Sequence, residues 1–403
     1  MSDLDQVLAD AVAKQDAPFL VAMTGNAAGT TWSGAAGERS PGHAAAIDTV
    51  FRIFSMTKAV GSMAAMILMD RGQLSADATV ESILPEFAEL KLLDGFGPDG
   101  PHLRAPRVKA TVRHLATHTS GLVYEFWNED MPRYMAASGA VSILSGLTSS
   151  MNYPLQFEPG TRWDYGIGID WLGRVVEKVS GQRIDRFCRE AIFEPLGMRD
   201  TAFEVEPHMA QRLAQVGIRG EDGRFSEYPL APPSMPEFYG MGHALYSTAP
   251  DYMRFLRMVM NGGTLEGKRV ISAEGLASML QNQIGDTPIG VLKTAVPPLS
   301  ADAEFFPGLR KSHSMAFMRL EEDVPGMRQA GSQTWAGVLN SHYWFDAKSD
   351  VIGVLMTQSL PFVEPRFLAT YEAFERAAYR QAHALAHAAA HAPAHAATHP
   401  SHA

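Results

Sequence analysis

The segment from 55 to 70 constrains the fold more than any other part of the chain. At helical period, Ala59, Val60, Met63, Ala64, Met66, Ile67 and Met69 leave almost no polar face, and a helix apolar on every side has to run through the centre of its domain. The same segment opens with Phe54-Ser55-Met56-Thr57-Lys58, so a serine hydroxyl and a lysine ammonium stand on neighbouring turns of one face. A charge in such a helix is costly unless it has partners.

That pair has a chemical use. A lysine among apolar groups loses its proton near neutral pH and can act as base toward the hydroxyl, while the helix N-terminus supplies an N–H and a dipole for a developing oxyanion. By itself Ser-x-x-Lys is common, and a serine N-cap beside a solvated lysine is the plainer reading of most such pairs. The apolar helix singles out Ser55 and Lys58.

Two further segments can complete a site. The run Glu158-Pro-Gly-Thr-Arg-Trp-Asp-Tyr165-Gly-Ile-Gly168 presents Tyr165 just before a helix. Beside Lys58 its phenol can exchange protons with Ser55 and a leaving group; otherwise it packs with Trp163 and Trp171. The run Gln333-Thr334-Trp335-Ala336-Gly337-Val338 opens a strand. There Ala336 and Gly337 let substrate lie against the backbone, and the Val338 N–H joins that of Ser55 as an oxyanion donor; the alternative is a plain edge strand with a glycine bulge.

Periodicity predicts strands over 19–24, 31–35 and 49–54, and a late hairpin of 335–345 with 351–358. Helices are expected over 1–14, 55–70, 111–117, 169–179, 184–192, 249–260 and 366–382. Strands at both ends with helices between them suggest an α/β domain from 1–75 and 245–382, with a mostly helical domain, 76–244, inserted. The tail 383–403 is almost only Ala, His and Pro. Its His383, His387, His391, His395 and His399 recur every four residues, a metal-binding spacing if helical, with His402 beyond them. Pro393 and Pro400 interrupt any helix there, so disorder is the expectation.

Composition narrows the function classes. With 34 basic and 44 acidic side chains the net charge is −10 and no basic cluster stands out, which argues against nucleic acid and anionic membranes as partners. Cys188 is the only cysteine, so neither a disulfide framework nor a thiolate zinc cluster is expected. No signal peptide and no run of ~18 apolar residues occurs, which makes the cytoplasm the expected location. A small-molecule substrate, with no cofactor and no metal, follows.

In order and spacing, Ser55-x-x-Lys58, the Tyr165 turn and the Gly337 strand resemble the penicillin-recognising serine hydrolases: class C β-lactamases, D-alanyl-D-alanine carboxypeptidases and the family VIII carboxylesterases. Arg113-His-Leu-Ala-Thr-His-Thr-Ser-Gly-Leu122, Phe157-Glu-Pro-Gly160, Tyr246-Ser-Thr-Ala-Pro-Asp251 and Asn261-Gly-Gly-Thr-Leu265 also look like segments of that superfamily. The likeness runs over roughly residues 5 to 380. It implies an α/β (α+β) serine β-lactamase-like fold, an antiparallel sheet flanked by helices with an inserted mostly helical domain. It also implies Ser55 as nucleophile, Lys58 and Tyr165 as proton-handling groups, and an aromatic, Tyr124, near the serine.

The departures bear on substrate. Class C enzymes carry Tyr-x-Asn where Ile167 stands here, and Lys-Thr-Gly where Trp335-Ala336-Gly337 stands here. The amide and the cation that would hold a β-lactam are therefore absent, and the Trp-x-Gly strand resembles the family VIII esterases, whose substrates are short-chain neutral esters. A weak β-lactamase or amidase, an acyltransferase using an alcohol in place of water, and an idle ligand-binding protein are the alternatives. Lys293-Thr294-Ala295 is a more literal Lys-Thr-Gly, but Val296-Pro297-Pro298 follows at once and bars a central strand. His118 lies near Ser120, yet no Gly-x-Ser-x-Gly elbow exists to make a histidine-based triad. The formal base, the natural ester and the oligomeric state stay open.

Overall fold

The computed structural model describes residues 2–230, 233 and 235–391. Its centre is an eight-stranded antiparallel sheet drawn from both ends of the chain. Strands β1 (Phe19–Gly25), β2 (Thr30–Ser40) and β3 (His43–Ala44) come early. Strands β4 (Lys311–His313), β5 (Met318–Leu320), β6 (Gln333–Gly337), β7 (Ser341–Asp346) and β8 (Val351–Met356) come late. The order is β4-β5-β6-β7-β8-β1-β2-β3, and the two ends meet where Val21 faces Met356 and Gly25 faces Ile352. This is the antiparallel, helix-flanked α/β architecture expected from the resemblance.

Helices cover both faces of the sheet, which is why β1 is buried at every position instead of alternating. On one face lie α1 (Asp3–Ala13), started by a Ser2–Asp5 capping box, and the long C-terminal helix α5 (Pro365–Ala390). Leu4, Leu8, Phe367, Phe374 and Tyr379 pack there around Trp344. Arg328, fully buried, pairs with Glu375 of α5 through Nε–Oε1 and Nη2–Oε2 contacts of 2.6 and 2.8 Å, and donates to the Tyr371 hydroxyl at 2.7 Å. On the other face runs α2 (Thr57–Asp70), every residue of it from Thr57 to Leu68 buried. Beside α2 lie α3 (Gly168–Ser180) and α4 (Ala249–Met260), in the main core.

Some elements differ from expectation. The stretch 335–345 is two strands, because residues 338–340 turn and fold β7 back on β6. Asn340 makes that turn at φ +61°, a conformation asparagine tolerates; its amide donates to the Ser359 and Pro361 carbonyls and accepts from the Val363 N–H. The expected hairpin is thus a three-strand meander. The expected strand 49–54 shrinks to Phe51–Arg52 and pairs with Tyr246–Ser247 outside the main sheet. The expected helix 184–192 becomes Ile184–Cys188 followed by a π turn, Arg189–Phe193. Helix α5 runs eight residues into the segment expected to be disordered, through His383 and His387, where alanine is the strongest helix former. His395, His399 and His402 lie outside the described residues.

Among the described residues no His, Cys, Asp and Glu group could hold a metal ion, and no helix is long and apolar enough to cross a membrane.

Candidate active site

Ser55 does not cap α2, so the plainer reading of the pair, a serine N-cap beside a solvated lysine, does not hold. It sits inside a 3-10 turn, Phe54–Met56, and α2 begins only at Thr57. Phe54 holds φ +42°, a left-handed setting that costs a side-chain-bearing residue about 1–3 kcal/mol. The turn is clamped on several sides to carry that cost. The Ile53 N–H donates to the Leu245 carbonyl at 3.0 Å, the Leu245 N–H to Thr57 Oγ1 at 3.1 Å, and the Tyr252 hydroxyl to the Met56 carbonyl at 3.0 Å. Strand β6 presses on the fourth side, where a Cβ at Gly337 would collide with the Ile53 carbonyl oxygen. The missing side chain of Gly337 lets the strand reach the serine turn.

Lys58 is buried among apolar groups and has three partners. Its Nζ lies 3.1 Å from Ser55 Oγ, 2.9 Å from the Tyr124 hydroxyl and 2.7 Å from the Gly242 carbonyl. An ammonium has three hydrogens to give, so the charged form is fully satisfied. Burial nevertheless pulls its pKa down to about 7, against the opposing pull of the buried Asp170. The amine can therefore shed and regain a proton in the neutral range while it touches the serine hydroxyl.

Tyr165 lines the same cleft as Ser55, with its ring centroid 4.8 Å from Lys58 Nζ, and its hydroxyl receives the Trp335 indole N–H at 3.2 Å. Burial raises its pKa and keeps the phenol protonated. The ring also packs against Trp335, Tyr124 and His118, with centroids 4.9, 5.1 and 4.8 Å away. His118 is fully buried and held neutral by burial; its Nδ1 faces the Gly166 N–H at 3.5 Å and its carbonyl accepts the Asp164 N–H at 2.9 Å. It braces the tyrosine turn.

Val338 follows β6, and its N–H bonds to nothing among the described residues. It and Ser55 border a cleft of about 1010 Å³, part of it open to solvent. Tyr124, Tyr165, Trp335 and Ala336 line this cleft; the remaining wall is mostly Phe, Leu and Val, and among the described residues it holds no lysine or arginine. Lys293 is exposed and pairs with Asp302 at 2.7 Å, away from any strand, although Thr294 reaches the cleft wall. A second, more polar cavity adjoins the first at Phe54, Leu144, Leu230 and His243 and carries Arg52 and Glu204.

Asp170 and His243 were not legible as site residues. Asp170, in the first turn of α3, is completely buried; its Oδ1 accepts the Gly242 N–H at 2.9 Å and its pKa is raised by burial. It holds the same turn whose Gly242 carbonyl receives Lys58. The available signals were an aspartate in the apolar run Gly168-Ile-Asp-Trp-Leu172 and the paired glycines of Gly240-Met-Gly-His243.

A strand of an antiparallel sheet laid against a buried Ser-x-x-Lys turn, with a tyrosine facing it, defines the serine β-lactamase and penicillin-binding class of protein. The chain belongs to the Beta-lactamase family, whose signature matches residues 4–378. It is 30% identical over 346 residues, 83% of this chain and 82% of the relative, to monacolin J acid methylbutanoyltransferase of Aspergillus terreus. Over 359 residues, 85% and 88% of the two chains, it is 29% identical to lovastatin esterase of Penicillium rubens. Simvastatin synthase of Aspergillus terreus, in its LovD6 mutant form, superposes with a TM-score of 0.82 at 27% identity, covering 94% of this chain and 95% of that one. EstCE1, described as a hydrolase with promiscuous acyltransferase activity, superposes at 0.74 with 20% identity over 93% and 97%, a likeness of fold. The named relatives are thus acyltransferases and esterases on a β-lactamase fold.

Proposed function

We propose that this protein is a serine acyl-transfer enzyme that opens short-chain neutral carboxylic esters through an acyl-enzyme on Ser55. The observation that carries the reading is Lys58 Nζ at 3.1 Å from Ser55 Oγ, beneath an apolar cleft whose wall has no cation to hold a substrate carboxylate. Ser55 Oγ attacks the ester carbonyl and Lys58, drawn toward neutrality, takes the hydroxyl proton. Tyr165, kept protonated by burial, gives its own phenol proton to the leaving alcohol, and the proton held by Lys58 then restores the phenol. The N–H groups of Ser55 and Val338 hold the oxyanion. Tyr124 holds Lys58, Trp335 holds Tyr165, and Ala336 lines the path of the acyl group, while Gly337 lets the strand come close. No metal or cofactor takes part in this scheme.

Transfer to an alcohol in place of water is the second reading. The adjoining polar cavity favours it, since it offers room for an acceptor beside the serine. The name of the methylbutanoyltransferase relative points the same way.

The test is turnover of p-nitrophenyl butyrate and of a chromogenic cephalosporin by the wild-type protein and Ser55→Ala. The ester should react far faster than the lactam, and the variant should lose both. A faster lactam would overturn the argument from the cation-free wall, and no reaction with either would overturn acyl transfer itself. Adding glycerol or 1-butanol and measuring butyrate ester against butyric acid separates transferase from esterase.

A further inference from the structure

The cleft above Ser55 has two ends. At one, Phe54, Leu144, Leu230 and His243 also border the polar cavity of Arg52 and Glu204. At the other, Leu292, Phe305 and Trp335 form a wall, and behind that wall lies a smaller rear cavity of about 250 Å³, part of it open to solvent. Among the described residues the polar cavity and the rear cavity have no member in common, so the wall stands apart from the polar end. Ile289, Ala303 and Met318 give the rear cavity an apolar lining, beside the polar Glu304 and Lys311, and the space next to Gly290 is open.

Two of the three wall residues are fixed by their neighbours. Trp335 gives its indole N–H to Tyr165 at 3.2 Å, and the Phe305 ring packs against Trp335, His342 and Phe362 with centroids 5.9, 6.1 and 6.4 Å away. Leu292 is the aliphatic member, buried and placed by its backbone, whose N–H donates to the Ala303 carbonyl at 2.9 Å and whose carbonyl accepts the Ala303 N–H at 2.9 Å. Next to it Lys293 Nζ meets Asp302 at 2.7 Å, and the Thr294 N–H donates to the same carboxylate at 3.0 Å. The Ala295 N–H reaches the Phe126 carbonyl at 2.8 Å, and the Phe362 N–H reaches the Leu299 carbonyl at 2.9 Å. The strap 292–303 is thus pinned at its neck and across its span. Lys293 and Thr294, the more literal Lys-Thr pair of the sequence, spend their polar groups on that neck.

We infer that Leu292 is the end stop of the acyl site: the acyl chain of the ester extends from Ser55 along Trp335 toward Leu292, which limits it to a few carbons. The inference rests on the acyl-enzyme reading above and gives its short-chain preference a structural cause. An acyl chain gains by burying methylenes and has nothing for a polar cavity to bind, so it fills the apolar end. The alcohol portion, its oxygen beside Tyr165, takes the other end. A longer chain has to displace a packed side chain whose backbone is held on both sides, and a close-packed wall does not yield volume cheaply. Shortening Leu292 to a methyl group joins the cleft to the rear cavity, where Ile289, Ala303 and Met318 receive the added methylenes.

The experiment compares wild type, Leu292→Ala and Leu292→Phe on p-nitrophenyl acetate, butyrate and octanoate, which share a leaving group, and on ethyl and octyl butyrate, which share an acyl group. Wild type should favour butyrate over octanoate. A buried methylene is worth about fourfold, so Leu292→Ala should raise the octanoate-to-butyrate ratio of kcat/KM about 10- to 100-fold and move the octyl-to-ethyl ratio far less. Leu292→Phe, which fills the same space, should lower the butyrate-to-acetate ratio about tenfold, so the test survives a poorly folded alanine variant. An unmoved octanoate-to-butyrate ratio in Leu292→Ala, or a change seen with octyl butyrate in its place, would overturn the end stop and leave the acyl-enzyme standing. A wild type that prefers octanoate would overturn the end stop together with the short-chain preference. Ester turnover that survives Ser55→Ala would overturn the acyl-enzyme reading and this inference with it.

Discussion

Lys58 Nζ donates to the Gly242 carbonyl at 2.7 Å, across 184 residues of chain. The shortest contact of the lysine is thus made with a turn that Asp170 holds, through the Gly242 N–H at 2.9 Å. Position and charge are set together: the turn aims the ammonium at Ser55, and the carboxylate behind it resists the loss of its proton.

The pH profile should report this coupling. Burial brings Lys58 down to about 7, and its neutral form is the base, so kcat/KM should rise with pH through the neutral range and level off above it. The Asp170 anion raises the Lys58 pKa. Asp170→Asn keeps an acceptor for the Gly242 N–H but removes that charge, so the ascending limb should move to lower pH. An unmoved limb in a pH titration of kcat/KM would show that the titrating group is not Lys58.

Trp335→Phe keeps an aromatic ring against Tyr165 and deletes the indole N–H that meets its hydroxyl at 3.2 Å. One such hydrogen bond is worth about 1 kcal/mol. Ester turnover should fall about fivefold with the melting temperature nearly unchanged, as read by steady-state kinetics beside thermal unfolding.

Gly337→Ala puts a methyl group where β6 touches the Ile53 carbonyl. The strand has to back away from the serine turn, separating the Val338 N–H from Ser55. Loss of an oxyanion donor costs about 100- to 1000-fold in kcat, and the clash about 1–3 kcal/mol of stability. Kinetics and denaturant unfolding on the same preparation distinguish the two effects.

Glu375→Gln tests the far face of the sheet. Arg328 is wholly buried and bonded to both oxygens of Glu375, and breaking such a pair costs about 3–5 kcal/mol because the remaining charge is stranded. Urea unfolding should show that loss, while turnover per folded molecule at 25 °C stays near wild type.

Local signals in the chain carried a good deal of this. The all-apolar helix announced its own burial, and Lys58 within it announced a need for partners. The Tyr165 turn and the Gly337 strand could be read as candidates because tyrosine before a helix and glycine in a strand each have a recognisable spacing. The antiparallel, helix-flanked sheet followed from strands at both chain ends together with the family resemblance. What spacing does not carry is convergence. The Asn340 turn that splits 335–345 into two strands depends on bonds to Ser359, Pro361 and Val363, and the 3-10 turn at Ser55 depends on Leu245 and Tyr252. Asp170 and His243 look unremarkable alone, an acid on a helix and a histidine after a glycine. The residue types and their order determined that this chain holds a serine, a lysine and a tyrosine suited to acyl transfer; only the folded chain decided which carbonyl and which carboxylate surround the lysine, because those contacts join segments that no local periodicity connects.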